Sequence, residues 1–199
     1  LRPVQSSLNA RAQGFRVTPL ASLIVALNFF SLDAHAAPQV SVGLTGGFAL
    51  TNLRDDSGPR PAFHLGLRGD LLFLRAREKD MAIGPYVEAL TERFNSTDFG
   101  AGLEWLLPAI PAFPFVVSAG GFAHDAPGFG GYQPGVVATV FLGPRSYNFF
   151  SAYGLANGIF AQARYGFGDA KETDILFGVQ VDLAVLALPW ILTYEAIAH

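Results

Sequence analysis

The chain has 199 residues, a net charge of −3 and no cysteine. This excludes disulfides, thiolate metal sites and a basic nucleic-acid surface, so no nucleic-acid partner is expected. Hydrophobic residues make up 51% and charged residues only 15%, against about 25% charge in an ordinary soluble domain.

Arg11 and Arg16 precede an apolar run over 17–32, and Ala-His-Ala follows at 34–36. A positive flank, a short apolar core and a small-x-small exit describe a secretory signal peptide over 1–36, cleaved after Ala36. An anchor helix is the competing reading. The run is short of the roughly 20 residues that span a bilayer, and Pro19 interrupts it.

From residue 39 the chain alternates. Val40, Val42, Leu44, Phe48 and Leu50 share one parity, and Ser41, Gly43, Thr45, Gly47, Ala49 and Thr51 the other. A period of two is a β-strand. The same pattern recurs over 62–74, 81–92, 98–107, 113–124, 135–143, 151–168 and 174–188. The two longest connections, 51–61 and 125–134, fall on one side of the resulting meander, and 76–80, 108–112 and 144–148 are tight on the other. Residues 37–188 are thus read as one barrel domain, and 189–199 as a C-terminal tail, helical from Pro189, or an additional strand.

The apolar parity carries almost no charge in the strand interiors. The other parity is mostly Gly, Ala, Ser and Thr with isolated ionisable residues, too few for a solvated surface. Phe48, Phe63, Phe99, Phe167 and Phe177 lie towards one end of the apolar faces, and Phe73, Trp105, Phe115 and Tyr153 towards the other. Two aromatic rings around an aliphatic band are the girdles of a lipid-facing surface. The expected fold is an all-β, antiparallel, up-and-down transmembrane β-barrel of about eight strands, with eight to ten possible. Two rivals are a soluble lipocalin-like barrel with the apolar parity inside, and a helical membrane protein with a span near 175–198.

The leader, the eight alternating strands and the unequal connections resemble the small outer-membrane β-barrel proteins of Gram-negative bacteria. The resemblance covers residues 37–187 and is one of architecture. It implies a location in the bacterial outer membrane and contact with outer-membrane lipid. The end of the chain, PWILTYEAIAH, departs from the terminal aromatic strand common in such barrels.

On this parity Arg68, Asp70, Tyr86, Glu88, Glu104, Gln180 and Asp182 point into the lumen, with Arg164 nearer the rim. Pairing about the 76–80 turn sets Glu88 beside Asp70 or Arg68, and pairing about 93–97 sets Glu104 near Tyr86. An eight-stranded interior is filled by its own side chains, so these residues are expected to form an ion-pair network that plugs the barrel. The surplus of acids offers an alternative, a narrow cation-selective pore. His64, His124 and Asp125 are placed at the rim. Ser118, His124 and Glu92 or Asp98 could be nominated for an outer-membrane lipid hydrolase, but no motif links them. We therefore expect no enzyme, no catalytic residue, no metal and no cofactor. The expected role is structural or binding, with an external ligand or protein engaged at loops 51–61 and 125–134.

Overall fold

The period-two pattern becomes eight strands: β1 (Gln39–Thr51), β2 (Arg60–Leu72), β3 (Ala82–Glu92), β4 (Ser96–Leu107), β5 (Phe115–Asp125), β6 (Tyr132–Leu142), β7 (Gly158–Gly166) and β8 (Thr173–Asp182). The structure is a computed structural model that describes residues 37–54, 58–110, 113–125, 128, 130–145, 153–167 and 173–189. The expected signal peptide, 1–36, and the end of the tail, 190–199, lie outside the described residues. Each strand pairs antiparallel with the next, and β1 also pairs with β8, so the sheet closes into a barrel. Closure leaves no sheet edge with unpaired backbone groups.

The side-chain alternation decides the two surfaces. Phe48, Leu67, Val87, Leu103, Val136, Ile159 and Phe177 all point outward and are exposed. His64, Arg68, Asp70, Glu104, Arg164 and Asp182 point inward and are buried. The apolar parity is therefore outside the barrel, not inside as the lipocalin-like alternative has it, and the helical span is overturned because 173–182 is a strand. The interior is not wholly polar. Ala82, Leu106, Val116, Phe141 and Phe160 are consecutive register partners and form an inner apolar row across β3 to β7.

Small inward residues keep this narrow barrel from overfilling. A Cβ on Gly84 would run into the backbone carbonyl of Leu71 on β2. One on Gly100 would lie 2.7 Å from Cγ of Glu88, so that glycine is the space the Glu88 side chain occupies.

Three expectations are corrected. First, β7 begins at Gly158 rather than 151. The preceding residues fold across the barrel end, where Tyr153 makes a parallel bridge to Val40 and the Gly154 N–H donates to the Val40 carbonyl at 2.9 Å. Residues 153–154 thus lie beside the start of β1, below the point where β8 has stopped. Tyr153 does not join the outward aromatics, because its hydroxyl lies 2.8 Å from Oδ1 of Asp182 and 3.2 Å from the Val42 carbonyl.

Second, β8 ends at Asp182 and residues 183–189 are helical. The Asp182 carboxylate accepts the Ala184 N–H at 2.8 Å, an N-cap. The following Leu-Ala-Val-Leu-Ala-Leu suits a helix, and Pro189 lies within this helix rather than opening one.

Third, the connections are unequal in the opposite sense. At the upper mouth lie 52–59, 93–95, 126–131 and 167–172; at the lower mouth, beside the ends of β1 and β8, lie 73–81, 108–114 and 143–157. The longest connection, 143–157, is therefore on the side expected to be tight. Its later part, from residue 151, reads like a strand in the sequence.

Candidate functional site

The ionisable side chains of the lumen form a stack along the barrel axis. In the middle, β2 brings Arg68 opposite Glu88 of β3. The Arg68 guanidinium reaches Glu88 at 3.4 Å, Glu104 of β4 at 3.1 Å and the Ser118 hydroxyl of β5 at 2.9 Å. It also lies over the Tyr86 ring at 3.9 Å, a cation–π contact that covers its otherwise bare face.

Glu88 links this tier to the one above. It accepts from Nε2 of Gln162 at 3.0 and 3.1 Å and from Arg164 at 2.9 Å. Arg164 also donates to Gln162 Oε1 at 3.0 Å and pairs with Asp98, which in turn pairs with Nδ1 of His124. Its guanidinium sits 5.0 Å from the Phe122 ring centre. Asp174 accepts the Asn52 N–H at 2.8 Å at the top.

Below Arg68, Arg145 forks onto both oxygens of Asp70, at 3.0 and 2.7 Å, and lies 3.5 Å from Glu104. The Ser41 hydroxyl donates to Asp70 at 2.6 Å. Burial by itself favours the neutral form of Arg145, but the Asp70 and Glu104 carboxylates outweigh it and hold the guanidinium above its ordinary range.

The network therefore unites five of the residues expected in it: Arg68, Asp70, Glu88, Glu104 and Arg164. Tyr86 joins by stacking. Gln180 lines a cavity of about 20 Å³ with Thr45, Arg68, Glu88, Thr139 and Gln162, room for about one water molecule. Asp182 is buried but serves the lower mouth, where it accepts from Ala156 N–H at 3.0 Å and caps the terminal helix.

Of the three rim residues, only Asp125 is exposed at a strand end. His64 is wholly buried inside the barrel; its Nε2 faces the Phe177 carbonyl at 3.4 Å, and its ring meets Phe160 edge-on. Its parity, the same as Arg68, overrules its nearness to the strand end. His124 is also buried, against Asp98.

The nominated hydrolase residues do not assemble. Ser118 is engaged by Arg68, and it sits six positions from His124 on one strand, roughly 20 Å away. Among the described residues no group of three or more His, Asp or Glu is placed to hold a metal ion.

Sequence reasoning did not place Arg145, Asp98, Gln162, Ser118 or Ser41 in the network. Arg145 was within reach: it continues the inward parity of Gly135, Val137, Thr139 and Phe141. A proline before it and polar residues after it made the segment read as a turn.

Chemically, the stack holds its charges against one another. Each acid of the central tiers faces at least one guanidinium, as buried charges must. Comparison of the sequence with protein-family models and with curated proteins gives no match.

Proposed function

We propose that this chain is a barrel of the bacterial outer membrane, with a structural or binding role and a lumen closed by its own ion pairs. One observation carries the reading. The outward parity is apolar around all eight strands, while the ionisable side chains of the strand interiors are turned inward. In water this leaves a continuous apolar surface far larger than monomeric soluble proteins expose. In lipid it satisfies every constraint: no charge in hydrocarbon, no open edge, and strands of 9 to 13 residues, against about 9–11 needed to cross.

The location rests on the resemblance and on the leader-like segment. The connection lengths do not support it, since the longest loop lies beside the strand termini. External contacts fit the upper mouth, where the connections 52–59 and 126–131 stand four strands apart and Tyr132 packs beside Phe99 at 6.2 Å.

The filled lumen favours a plug over a cation pore. The lipid-hydrolase alternative has no support, because Ser118 and His124 are apart.

Two measurements test the proposal. The folded barrel should migrate faster unboiled than boiled in a gel, and should require detergent or lipid to stay dispersed. A chain that remains monomeric and folded in plain buffer refutes the membrane reading. In planar bilayers the wild type should give no steady conductance; cation-selective steps abolished by Glu88→Gln and Glu104→Gln would replace the plug with a pore.

A further inference from the structure

Gln180 is the member of the central lumen whose side chain is least accounted for. It is 2% exposed, and its Nε2 is buried with no hydrogen-bond partner among the described residues. A buried amide donor left unbonded is costly, so such groups are nearly always satisfied by protein or by water.

The wall around that amide is built to hold polar groups in place. Gln180 on β8 is the register partner of Thr45 on β1, and both side chains are buried in the lumen. A Cβ on Gly43 would lie 2.8 Å from Nε2 of Gln180, and one on Gly66 would lie 2.9 Å from the Thr45 hydroxyl oxygen. Gly100 leaves the same room for Glu88. Three polar side chains are thus each seated over a glycine of the neighbouring strand, and all three line the one cavity of about 20 Å³. Leu90, Phe141 and Phe160 close it on the apolar side.

We infer that this cavity binds a single water molecule, which accepts from Nε2 of Gln180 and donates to the Glu88 carboxylate and the Thr45 hydroxyl oxygen. The volume fits one water, and the walls offer the two to four polar partners that a buried water needs. Oε2 of Glu88 is the less tightly held of its two oxygens: it meets Arg68 at 3.4 Å, whereas Oε1 meets Arg164 at 2.9 Å. A monovalent cation suits the walls less, because Glu88 already faces two guanidinium groups and the amide presents a donor. A bridging water is nearly as good as a direct hydrogen bond, so it joins β8 and β1 to the central ion pairs. The inference rests on the plugged lumen read above.

Water–protein NOE and ROE spectroscopy of the barrel in detergent micelles tests it. The wild type should give water cross-peaks to the Gln180 side-chain amide and the Thr45 methyl, with NOE and ROE of opposite sign, the mark of a long-lived water. Gln180→Met, close in volume but without the donor, should lose the cross-peak at Thr45. Absence of both cross-peaks in the wild type overturns the site, and persistence of the Thr45 cross-peak in Gln180→Met overturns Gln180 as its holder. Saturable shifts of the Gln180 and Thr45 resonances with sodium or potassium chloride, but not with choline chloride, overturn water as the occupant and leave a monovalent-cation site. A failure of the plugged reading looks different, since the barrel would conduct steadily in planar bilayers.

Discussion

Replacing Arg145 by methionine removes the one guanidinium that grips Asp70 with two hydrogen bonds. Among the described residues the carboxylate would keep the Ser41 hydroxyl, and Glu104 would keep Arg68. Both acids stay buried. Breaking a buried pair from one side costs about 3–5 kcal/mol, because the remaining charge is left uncompensated. Asp70→Asn alone should cost less, about 2 kcal/mol, since the new side-chain amide still offers Arg145 a carbonyl acceptor and Glu104 still balances the guanidinium. The double variant Arg145→Met/Asp70→Asn orphans no charge at position 70, and should be about 1–3 kcal/mol more stable than Arg145→Met. The assay is urea unfolding of the barrel in detergent micelles or lipid vesicles, with midpoints compared at unchanged slope. An Arg145→Met loss below about 1 kcal/mol, or single losses that simply add, would refute the buried-pair reasoning. The cycle probes a residue on a connection rather than on a strand, so it also tests whether Arg145 is held in the lower mouth in solution.

Asp98→Ala should cost about 3–5 kcal/mol in the same assay, because it takes the shared partner from both Arg164 and His124; a neutral effect would mean that the upper tier is water-filled. Gly84→Ala should cost about 1–3 kcal/mol, with its Cβ against the Leu71 carbonyl, whereas Gly46→Ala, whose nearest neighbour is 3.7 Å away, should stay within about 0.5 kcal/mol. Comparable losses would show that the barrel wall yields more than its register implies. Burial, then the hydrogen bond to Asp182, push the Tyr153 hydroxyl up to about 12 from an ordinary 10. The folded state thus prefers the protonated phenol: its contribution is intact below pH 10 and is lost as pH rises to about 12. Midpoints measured across that window should fall for the wild type and stay flatter for Tyr153→Phe.

Much of the barrel was legible because parity is local. Arg68 and Asp70 share a face in any strand, so the inward set on β2 follows from spacing alone, and hairpin pairing then brings Glu88 to Arg68. The errors arose where a strand stops. Residues 151–157 and 183–188 carry alternating or apolar patterns that a strand would accept. Tyr153 and Asn157 instead turn in to Asp182, the Asn157 side chain accepting the Asp182 N–H at 2.9 Å, and Asp182 starts a helix. The rim placement of His64 failed for a related reason. Distance from a strand end does not measure depth in a barrel whose strands are tilted and staggered.

The sequence alone determined which side chains share the outer face and which share the lumen, because successive side chains of any strand point to opposite sides. It also determined that the lumen would be small and charged. Only the closed barrel decided how those charges are shared. Asp70 and Arg145 are 75 positions apart, and Glu88 and Arg164 are 76 apart; neither pair lies on neighbouring strands. They meet across the lumen, where the stagger of the closed sheet, rather than spacing along the chain, sets which acid faces which guanidinium.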